Sequence, residues 1–377
     1  MKVLHCADSH LGFSAFRRVS DSGINVRELD VYRAFEAVVD RILALKPDVV
    51  IHAGDLFDGV RPNNRALSVA LDQLLRLDAA GIAVVLIAGN HETPRLRETG
   101  HIFKVFEHLK NVHTVFEGYE QIFFDIDSKK ICVHGLPHMR NREEFEEQLA
   151  CVAPVESADF NILVAHGGVV ELPAFSMHES NEVLLPVDRF ERLFEYVALG
   201  HYHNYSVVNE LGNVVYSGSM EQLSFAEANS QKGFVLASFD EKTGLSTRFE
   251  KCEIRGMIDL PPLSCENLDV QEVNKQLFRL IDSHDIVGKV VRISLKDVSS
   301  PVYRGLDLQA VRKACGSALH LEIRAEVIRE GVRRLSGEQR LESLSSEWKS
   351  FVAQKKAKDA SGLESLGLEY ISRVEEG

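Results

Sequence analysis

The sequence has no long apolar run and no excess of positive charge. Its longest apolar runs, such as residues 82–88, are far shorter than the roughly 20 residues of a membrane-spanning helix. The net charge is −13, which argues against binding to nucleic acid through bulk positive charge but is compatible with a local basic surface. We therefore expect a globular protein without a membrane segment.

The sequence also lacks paired cysteines. Its six cysteines are scattered and form no CxxC motif, which is typical of reduced thiols and predicts a cytoplasmic protein. The first residues lead directly into a strand that carries a candidate metal ligand, so we expect no cleavable signal peptide. The length of 377 residues predicts two or three domains.

Five short polar motifs occur in one order, and each follows an apolar run that has the composition of a buried strand. The motifs are Asp8-Ser9-His10, Gly54-Asp55, Gly89-Asn90-His91-Glu92, His166-Gly167 and Gly200-His201-Tyr202-His203. Residues at strand ends can converge on one edge of a sheet. Together the motifs offer a set of candidate ligands for two divalent metal ions. These ligands are Asp8, His10, Asp55, Asn90, His166, His201 and His203.

This ligand set predicts a two-metal phosphoester hydrolase. Hydrolysis needs a nucleophile at neutral pH and relief of charge on the phosphoryl oxygens, and two metal ions supply both. Asp55 is the predicted bridge between them, since it follows a glycine at a tight strand exit. His10 lies two residues after Asp8, and His203 lies two residues after His201, so each pair faces one side of an extended segment.

Other histidines near the motifs need separate interpretation. His91 directly follows the candidate ligand Asn90 but is not itself in the ligand set. This position favours a role for His91 as proton donor to the leaving oxygen or as stabiliser of the phosphorane. A structural role is the alternative. Glu92 is expected to form a supporting hydrogen bond rather than to bind metal. His52, His134 and His138 lie outside the pattern and are expected to be structural.

The first 250 residues alternate between helix and strand patterns and predict an α/β fold of two mixed sheets with helices outside. The predicted helices cover residues 29–45, 64–80 and 99–109. The predicted strands include hairpins over residues 121–134 and 207–216 and two more strands over residues 233–239 and 246–252. Pro261-Pro262 marks a boundary. Beyond it the pattern predicts a small α/β unit, with helices over residues 270–283 and 306–315 and strands over residues 289–295 and 319–327.

The tail from about residue 336 carries two apolar stripes at helical spacing, separated by residues 355–362. The stripes are Leu341, Leu344, Trp348, Phe351 and Val352, then Leu363, Leu366, Tyr370, Ile371 and Val374. The two helices either pack on their own domain or dock on a partner, and the position of the only tryptophan favours a partner.

Basic residues recur just after the motifs, and a ring of them beside two metal ions suits a polyanionic substrate. These residues are Arg17 and Arg18, Arg61 and Arg65, Arg95 and Arg97, and Arg140 and Arg142. The alternative is that they are ordinary loop arginines.

These motifs resemble the calcineurin-like metallophosphoesterase superfamily and, within it, the SbcD family, also called the meiotic recombination eleven type. The narrower resemblance is carried by Asp8-Ser9-His10-Leu11-Gly12, by residues 54–58 and 89–92, by residues 216–225 and by Lys232-Gly233-Phe234. It is good over residues 1–240 and weaker beyond. One departure is Asp58, where some members carry a histidine thought to contact the scissile phosphate.

The resemblance implies two Mn²⁺ ions, with Mg²⁺ as a less active substitute, and His91 as the catalytic residue. One ion would be bound by Asp8, His10, Asp55 and His203, and the other by Asp55, Asn90, His166 and His201. The implied fold is a two-sheet metallophosphoesterase sandwich flanked by helices. Its domains would be a nuclease over residues 1–255, a small α/β DNA-capping domain over residues 256–330 and a helical tail over residues 331–377.

The implied activity is processing of DNA ends in double-strand-break repair, as a 3′–5′ exonuclease and single-strand endonuclease. The implied partners are DNA, a second copy of the chain and an SMC-like coiled-coil ATPase of the SbcC type, which the tail would bind. Two alternatives stay open: a small-molecule phosphodiesterase or nucleotidase of the same superfamily, and a non-catalytic scaffold.

Overall fold

The computed structural model describes residues 1–95, 100–169, 184–240, 242–328, 344–355 and 360–375. The chain forms two units, residues 1–327 and 328–377. Among the described residues, no helix is both long and apolar enough to span a membrane.

The first sheet contains six strands in the order β14-β13-β1-β2-β3-β4. They are β1 (Lys2–Cys6), β2 (Val49–His52), β3 (Ala83–Ile87), β4 (Val112–Val115), β13 (Gly233–Asp240) and β14 (Gly244–Lys251). Strands β1 to β4 are parallel, and β13 joins β1 in the antiparallel sense. The parallel strands consist largely of buried β-branched residues, as expected of strands covered on both faces.

The second sheet also contains six strands, in the order β11-β12-β10-β7-β6-β5. They are β5 (Glu120–Ile126), β6 (Lys129–Leu136), β7 (Phe160–His166), β10 (Tyr196–Gly200), β11 (Ser206–Val207) and β12 (Val214–Tyr216). Strands β6, β7, β10 and β12 are parallel, and the strands at both edges are antiparallel to their neighbours. A separate pair, β8 (Gly168–Val169) and β9 (Leu184–Leu185), follows β7.

The two sheets pack face to face around a core of small and β-branched residues drawn from both. Helices α1 (Val26–Leu45) and α2 (Asn64–Ala79) cover the outer face of the first sheet. Helices α3 (Arg142–Ala150) and α4 (Val187–Phe190) pack with the outer face of the second. The predicted two-sheet sandwich with helices outside is therefore confirmed.

A third sheet follows in the first unit and has a hydrophobic core of its own. Its strands are β15 (Met257–Asp259), β16 (Leu263–Ser264), β17 (Val290–Ser299) and β18 (His320–Ile328). Its helices are α5 (Val270–Asp282), α6 (Ser300–Gly305) and α7 (Leu308–Ala314). This agrees with the predicted small α/β unit, and the predicted domain boundaries stay a prediction.

Local differences from the sequence predictions have clear causes. Helix α1 begins three residues earlier than predicted because the side chain of Asn25 accepts hydrogen bonds from the backbone N–H groups of Arg27 and Glu28. The predicted helix over residues 99–109 is wrong for the described residues. A short 3₁₀ helix over Ile102–Phe106 takes its place and buries Phe103 and Phe106, which share one side at a spacing of three.

The second unit is a pair of helices, α8 (Leu344–Lys355) and α9 (Ala360–Glu375). The indole nitrogen of Trp348 donates to the carbonyl of Glu364 at 3.2 Å. A Cβ on Gly367 would lie 2.1 Å from Nε1 of Trp348, so only glycine lets α9 approach the indole this closely. Trp348 thus contacts the other helix of the pair, and docking of this pair on a partner stays a prediction. Leu341 lies outside the described residues.

Arg27 joins helix α1 to the segment that follows β12. Its fully buried guanidinium pairs with Asp30 at 2.9 Å and with Glu221 at 3.2 Å, and it donates to the carbonyl of Gln222 at 2.6 Å. Removing one partner of a buried ion pair leaves unpaired charge in the protein interior.

We predict that Arg27→Ala lowers the free energy of unfolding by about 3–5 kcal/mol, measured by urea denaturation. The matched control is Arg76→Ala, which breaks an exposed pair with Asp40 and should cost about 1 kcal/mol or less. Equal losses in the two variants would contradict the assigned role of Arg27.

Candidate metal centre

The seven predicted ligands come together where strands of both sheets end. Strands β1, β2 and β3 of the first sheet and β7 and β10 of the second each lead into one of the five motifs. The ligand atoms of Asp8, His10 and His203 lie within 4.8 Å of one another, and so do those of Asp55, His166 and His201. The structure thus places residues from five distant segments in one cluster.

The first group surrounds the imidazole of His10. Its Nε2 lies 3.1 Å from Nε2 of His203 and 3.8 Å from Oδ2 of Asp55. The carboxylate of Asp8 accepts hydrogen bonds from the backbone N–H of His201 at 2.9 and 3.1 Å. Two imidazole nitrogens that point at each other between carboxylates form a geometry that a shared cation would stabilise.

The second group surrounds the side-chain oxygen of Asn90. Nε2 of His166 lies 2.9 Å from this oxygen, and Nδ1 of His201 lies 3.1 Å from it. Nε2 of His166 also lies 3.4 Å from Oδ2 of Asp55. Because the same Asp55 oxygen also lies near His10, Asp55 stands between the two groups, where a bridging carboxylate belongs.

Four of the seven residues have a left-handed backbone, which is costly outside glycine. The φ angles are 52° at Asp8, 47° at His10, 54° at Asp55 and 100° at His201. Hydrogen bonds between neighbouring loops hold this conformation, since the N–H of Asp8 donates to Gly54 and the N–H of His10 donates to Asp55, both at 3.0 Å. Strain concentrated in one cluster is typical of a functional site.

Two motif glycines permit the close approach of these loops. A Cβ on Gly54, where φ is +94°, would lie 2.2 Å from Nδ1 of His166. A Cβ on Gly89 would lie 2.2 Å from Oδ1 of Asp55. The glycines are therefore needed because the ligands occupy the space that a side chain would fill.

Hydrogen bonds on the far side of two imidazoles direct their other nitrogens into the cluster. Nδ1 of His166 lies 2.7 Å from the carbonyl of Ala53, and Nδ1 of His10 lies 3.2 Å from Oδ1 of Asp58. The side chain of Asp58 therefore orients a candidate ligand. The sequence had left open whether it contacts substrate.

Glu92 is fully buried and ties two ligand loops together. Its carboxyl oxygens accept hydrogen bonds from the N–H of Phe57 at 2.8 Å and of Gly89 at 3.0 Å. Burial raises the pKa of Glu92 to about 8. Glu92 belongs to none of the three groups of closely spaced ligand atoms, the third of which joins His91 to His10 and Asp55, and this agrees with the expected supporting hydrogen bond.

His91 differs from the buried ligands because about 39% of its side chain is exposed. Its Nδ1 lies 3.0 Å from the carbonyl of Asp58, so Nδ1–H donates. Nε2 is then left facing the cluster, 4.0 Å from Oδ2 of Asp55. The side chain is therefore partly accessible from solvent, and its catalytic role stays a prediction.

The remaining histidines near the motifs form hydrogen bonds with residues outside the ligand groups. His52 bonds to Ser9 at 2.8 Å, and His138 bonds to Thr93 at 3.2 Å. His134 bonds to Tyr119 at 2.6 Å. None of the three belongs to the ligand groups found among the described residues.

Comparison with known proteins shows which family the chain belongs to. A family model described as calcineurin-like phosphoesterase matches residues 1–205. A DNA double-strand break repair protein Mre11 from Methanocaldococcus jannaschii is 31% identical over 67% of this chain and 67% of its own length. The chain belongs to the calcineurin-like phosphoesterase family, in its Mre11 branch.

Two further relatives from the Mre11 branch also match this chain. The Mre11 protein of Methanopyrus kandleri is 26% identical over 80% of this chain and 66% of its own length. That of Haloferax volcanii is 32% identical over 63% of this chain and 49% of its own length. The chain thus spans about half to two thirds of the length of these curated relatives. The resemblance to the SbcD family is confirmed, and membership makes the chain a metal-dependent phosphoesterase.

Sequence reasoning missed two residues behind the ligands, Glu227 and Lys232. Oε1 of Glu227 lies 3.3 Å from Nδ1 of His203, and its Oε2 accepts from the buried Lys232 ammonium at 2.6 Å. Burial would raise the pKa of Glu227, but His203 and Lys232 together lower it to about 2. The signal in the sequence was a lysine at the entry to an apolar strand, which needs a buried partner.

The donor set fits two divalent cations, since it combines carboxylates, an amide oxygen and imidazoles without thiolates. Burial would raise the pKa of Asp55, but His166 and the neighbouring histidines hold it well below its usual range. Asp55 therefore stays ionised in the protein interior, and this charge favours cations.

We predict that Asp55→Ala loses both metal ions, whereas His10→Ala mainly weakens one. A bridging carboxylate reduces the repulsion between two cations, so its loss should cost more than that of a ligand in one group. Calorimetric titration with MnCl₂ counts the ions bound by each variant. Two ions retained by Asp55→Ala would place the bridge elsewhere.

We predict that metal binding tightens as the pH rises from 7 to 8.5. Burial would lower the pKa of His166, but Asp55 raises it to about 9 in the metal-free protein. Because metal ions bind neutral imidazole, binding below that pH must release the proton, and the affinity should rise about tenfold per pH unit. Calorimetry in buffers of different ionisation enthalpy measures the released proton. A pH-independent affinity, or a slope unchanged in His166→Ala, would contradict this.

Proposed function

We propose that this protein is a Mn²⁺-dependent DNA nuclease that processes DNA ends in double-strand-break repair. It would act as a 3′–5′ exonuclease and single-strand endonuclease. The observation that carries the proposal is the convergence of seven ligand-type side chains beside an exposed histidine at one edge of the sandwich. The relatives described as DNA double-strand break repair proteins support the substrate class.

We assign the proposed ligands to two metal ions according to the two groups around His10 and around Asn90. Asp8, His10, Asp55 and His203 would hold one ion. Asp55, Asn90, His166 and His201 would hold the other. When bound, the two ions supply a nucleophile at neutral pH and neutralise charge on the phosphoryl oxygens. The resemblance to the SbcD family supports Mn²⁺ as the metal, with Mg²⁺ as a less active substitute.

His91 is the proposed catalytic residue. The carbonyl of Asp58 fixes its ring by accepting from Nδ1–H, and Nε2 faces the cluster. The backbone N–H of His91 also donates to Oδ1 of Asp55 at 2.9 Å, so the residue is anchored to the proposed bridging ligand. When protonated, Nε2 can donate to the leaving oxygen as the phosphodiester bond breaks.

Two arginines beside the third motif support a polyanionic substrate. Nε of Arg140 donates to the carbonyl of Thr93 at 3.0 Å, and both Arg140 and Arg95 are exposed. Burial and the charge of Arg95 lower the pKa of Arg140, so the two positive charges lie near each other. Such a pair gains from a phosphate placed between them. Arg97 lies outside the described residues.

The helix pair of the second unit is the proposed docking element for an SMC-like coiled-coil ATPase of the SbcC type. Helix α9 exposes Leu363, Leu366 and Tyr370, and such an apolar face suits a partner helix. The family resemblance supports a homodimer and a DNA-capping role for residues 256–330. The corresponding proposed limits are residues 1–255 for the nuclease and residues 331–377 for the tail.

The test of this function is digestion of linear and circular DNA with Mn²⁺, with Mg²⁺ and with chelator. We predict Mn²⁺-dependent cleavage that falls about 10²–10⁴-fold in His91→Ala, because a proton donor is lost. Calorimetry on the same sample should still find two Mn²⁺ ions. The control His108→Ala changes an exposed histidine of the sandwich that belongs to no ligand group and should cleave normally. Normal cleavage by His91→Ala would remove this residue from the mechanism.

Hydrolysis of a small phosphodiester without cleavage of DNA would favour the small-molecule alternative.

We predict that Leu363→Asp with Leu366→Asp abolishes association with the coiled-coil ATPase, because a partner helix cannot bury two carboxylates without large cost. Cleavage of short DNA by the free protein should be unaffected. Leu211→Asp is the matched control, since Leu211 is 61% exposed on a loop of the sandwich. Co-purification of the double variant with the ATPase at full yield would contradict the docking role.

A further inference from the structure

His203 has a hydrogen-bonding partner behind its ring that differs from those of His166 and His10. Its Nε2 faces His10 at 3.1 Å, and its Nδ1 faces the buried carboxylate of Glu227 at 3.3 Å. His166 uses a backbone carbonyl for this purpose, and His10 uses Asp58, whose side chain is 36% exposed. His203 therefore depends on a buried charge.

Glu227 is fixed at both carboxylate oxygens. Besides His203, Oε1 accepts from the hydroxyl of Ser224 at 3.0 Å. Oε2 accepts from Lys232 at 2.6 Å and from the N–H of Leu223 at 3.3 Å. These contacts leave the carboxylate a single orientation, with one oxygen directed at the imidazole.

Lys232 supports both Glu227 and the backbone of His203. Its side chain is fully buried, and Nζ donates to Glu227, to the Ser219 hydroxyl at 2.9 Å and to the carbonyl of His203 at 2.7 Å. Three acceptors use all three ammonium protons. One cation therefore fixes His203 at two points, through its carbonyl and through the carboxylate behind its ring.

The turn that carries Glu227 is itself anchored. Gln222 donates to the carbonyls of Glu227 at 2.9 Å and of Ala228 at 3.1 Å. The neighbouring Phe225 packs with Met257 of the third sheet, and the Arg292 guanidinium lies 4.4 Å from its ring centre. The carboxylate thus projects from a rigid turn, as precise placement of a ligand requires.

We propose that Glu227 and Lys232 are positioning residues that act as one buried ion pair to hold His203 in the orientation and tautomer required of a metal ligand. This inference rests on the proposed function, in which His203 binds one of two Mn²⁺ ions. A carboxylate that accepts from Nδ1–H leaves Nε2 free to bind metal and makes it a stronger donor.

The experiment is calorimetric titration of the full-length, metal-free protein with MnCl₂. The variant is Glu227→Gln combined with Lys232→Met, because removing both charges leaves no unpaired ion in the interior. We expect one of the two ions to bind about 10–100-fold more weakly and the ion held by the His166 group to bind as in the wild type. The control Glu28→Gln changes a buried carboxylate that accepts from Tyr32 and should alter neither affinity.

A double-mutant cycle with His203→Ala separates positioning from general damage. If the pair acts through His203, adding the two changes to His203→Ala should cause no further loss of Mn²⁺ affinity.

Nitrogen NMR of the imidazoles should also show a single His203 tautomer in the wild type and a mixture in the Glu227→Gln, Lys232→Met variant. Unchanged affinities in that variant, or an equal further loss in the His203→Ala background, would overturn the inference. A wild type that binds two ions but cleaves no DNA would overturn the proposed function and leave this inference standing.

Discussion

One buried hydrogen bond joins the two sheets at the edge where the ligands meet. Nδ1 of His166, at the end of β7, lies 2.7 Å from the carbonyl of Ala53, just beyond β2. The contact leaves no space, since a Cβ on Gly200 would lie 1.9 Å from the same carbonyl oxygen. The bond directs Nε2 of His166 toward Asp55. The shared core and the hydrogen bonds from the His201 N–H to Asp8 hold the two sheets together at the same edge.

The close approach of the sheets explains the other unusual features of the site. Loops that meet at this edge have little room, so Asp8 and Asp55 adopt left-handed backbones and glycines precede the ligands. The buried carboxyl group of Glu92 links two of these loops through backbone N–H groups. Strain in the ligand loops is therefore offset by hydrogen bonds between them.

Local pattern predicted the sandwich and the identity of the clustered residues because both depend on short segments. An apolar strand followed by Asp8 or by Gly54-Asp55 can be recognised within ten residues of sequence. Parallel strands then bring the polar residues at their carboxyl ends together. Glu227 and Lys232 were missed because their roles depend on contacts with His203, more than twenty residues earlier in the chain. The two alternatives for Trp348, packing within the tail or docking on a partner, stayed open because helical spacing defines a face without saying what covers it.

The central claim is that two metal ions bind at this edge and share Asp55. The most direct measurement is an anomalous difference map, recorded at the manganese edge, from crystals of the protein grown with MnCl₂. The account predicts two peaks, one in contact with Asp8, His10 and His203 and the other in contact with Asn90, His166 and His201, with Asp55 touching both. A single peak, or two peaks without Asp55 between them, would contradict it.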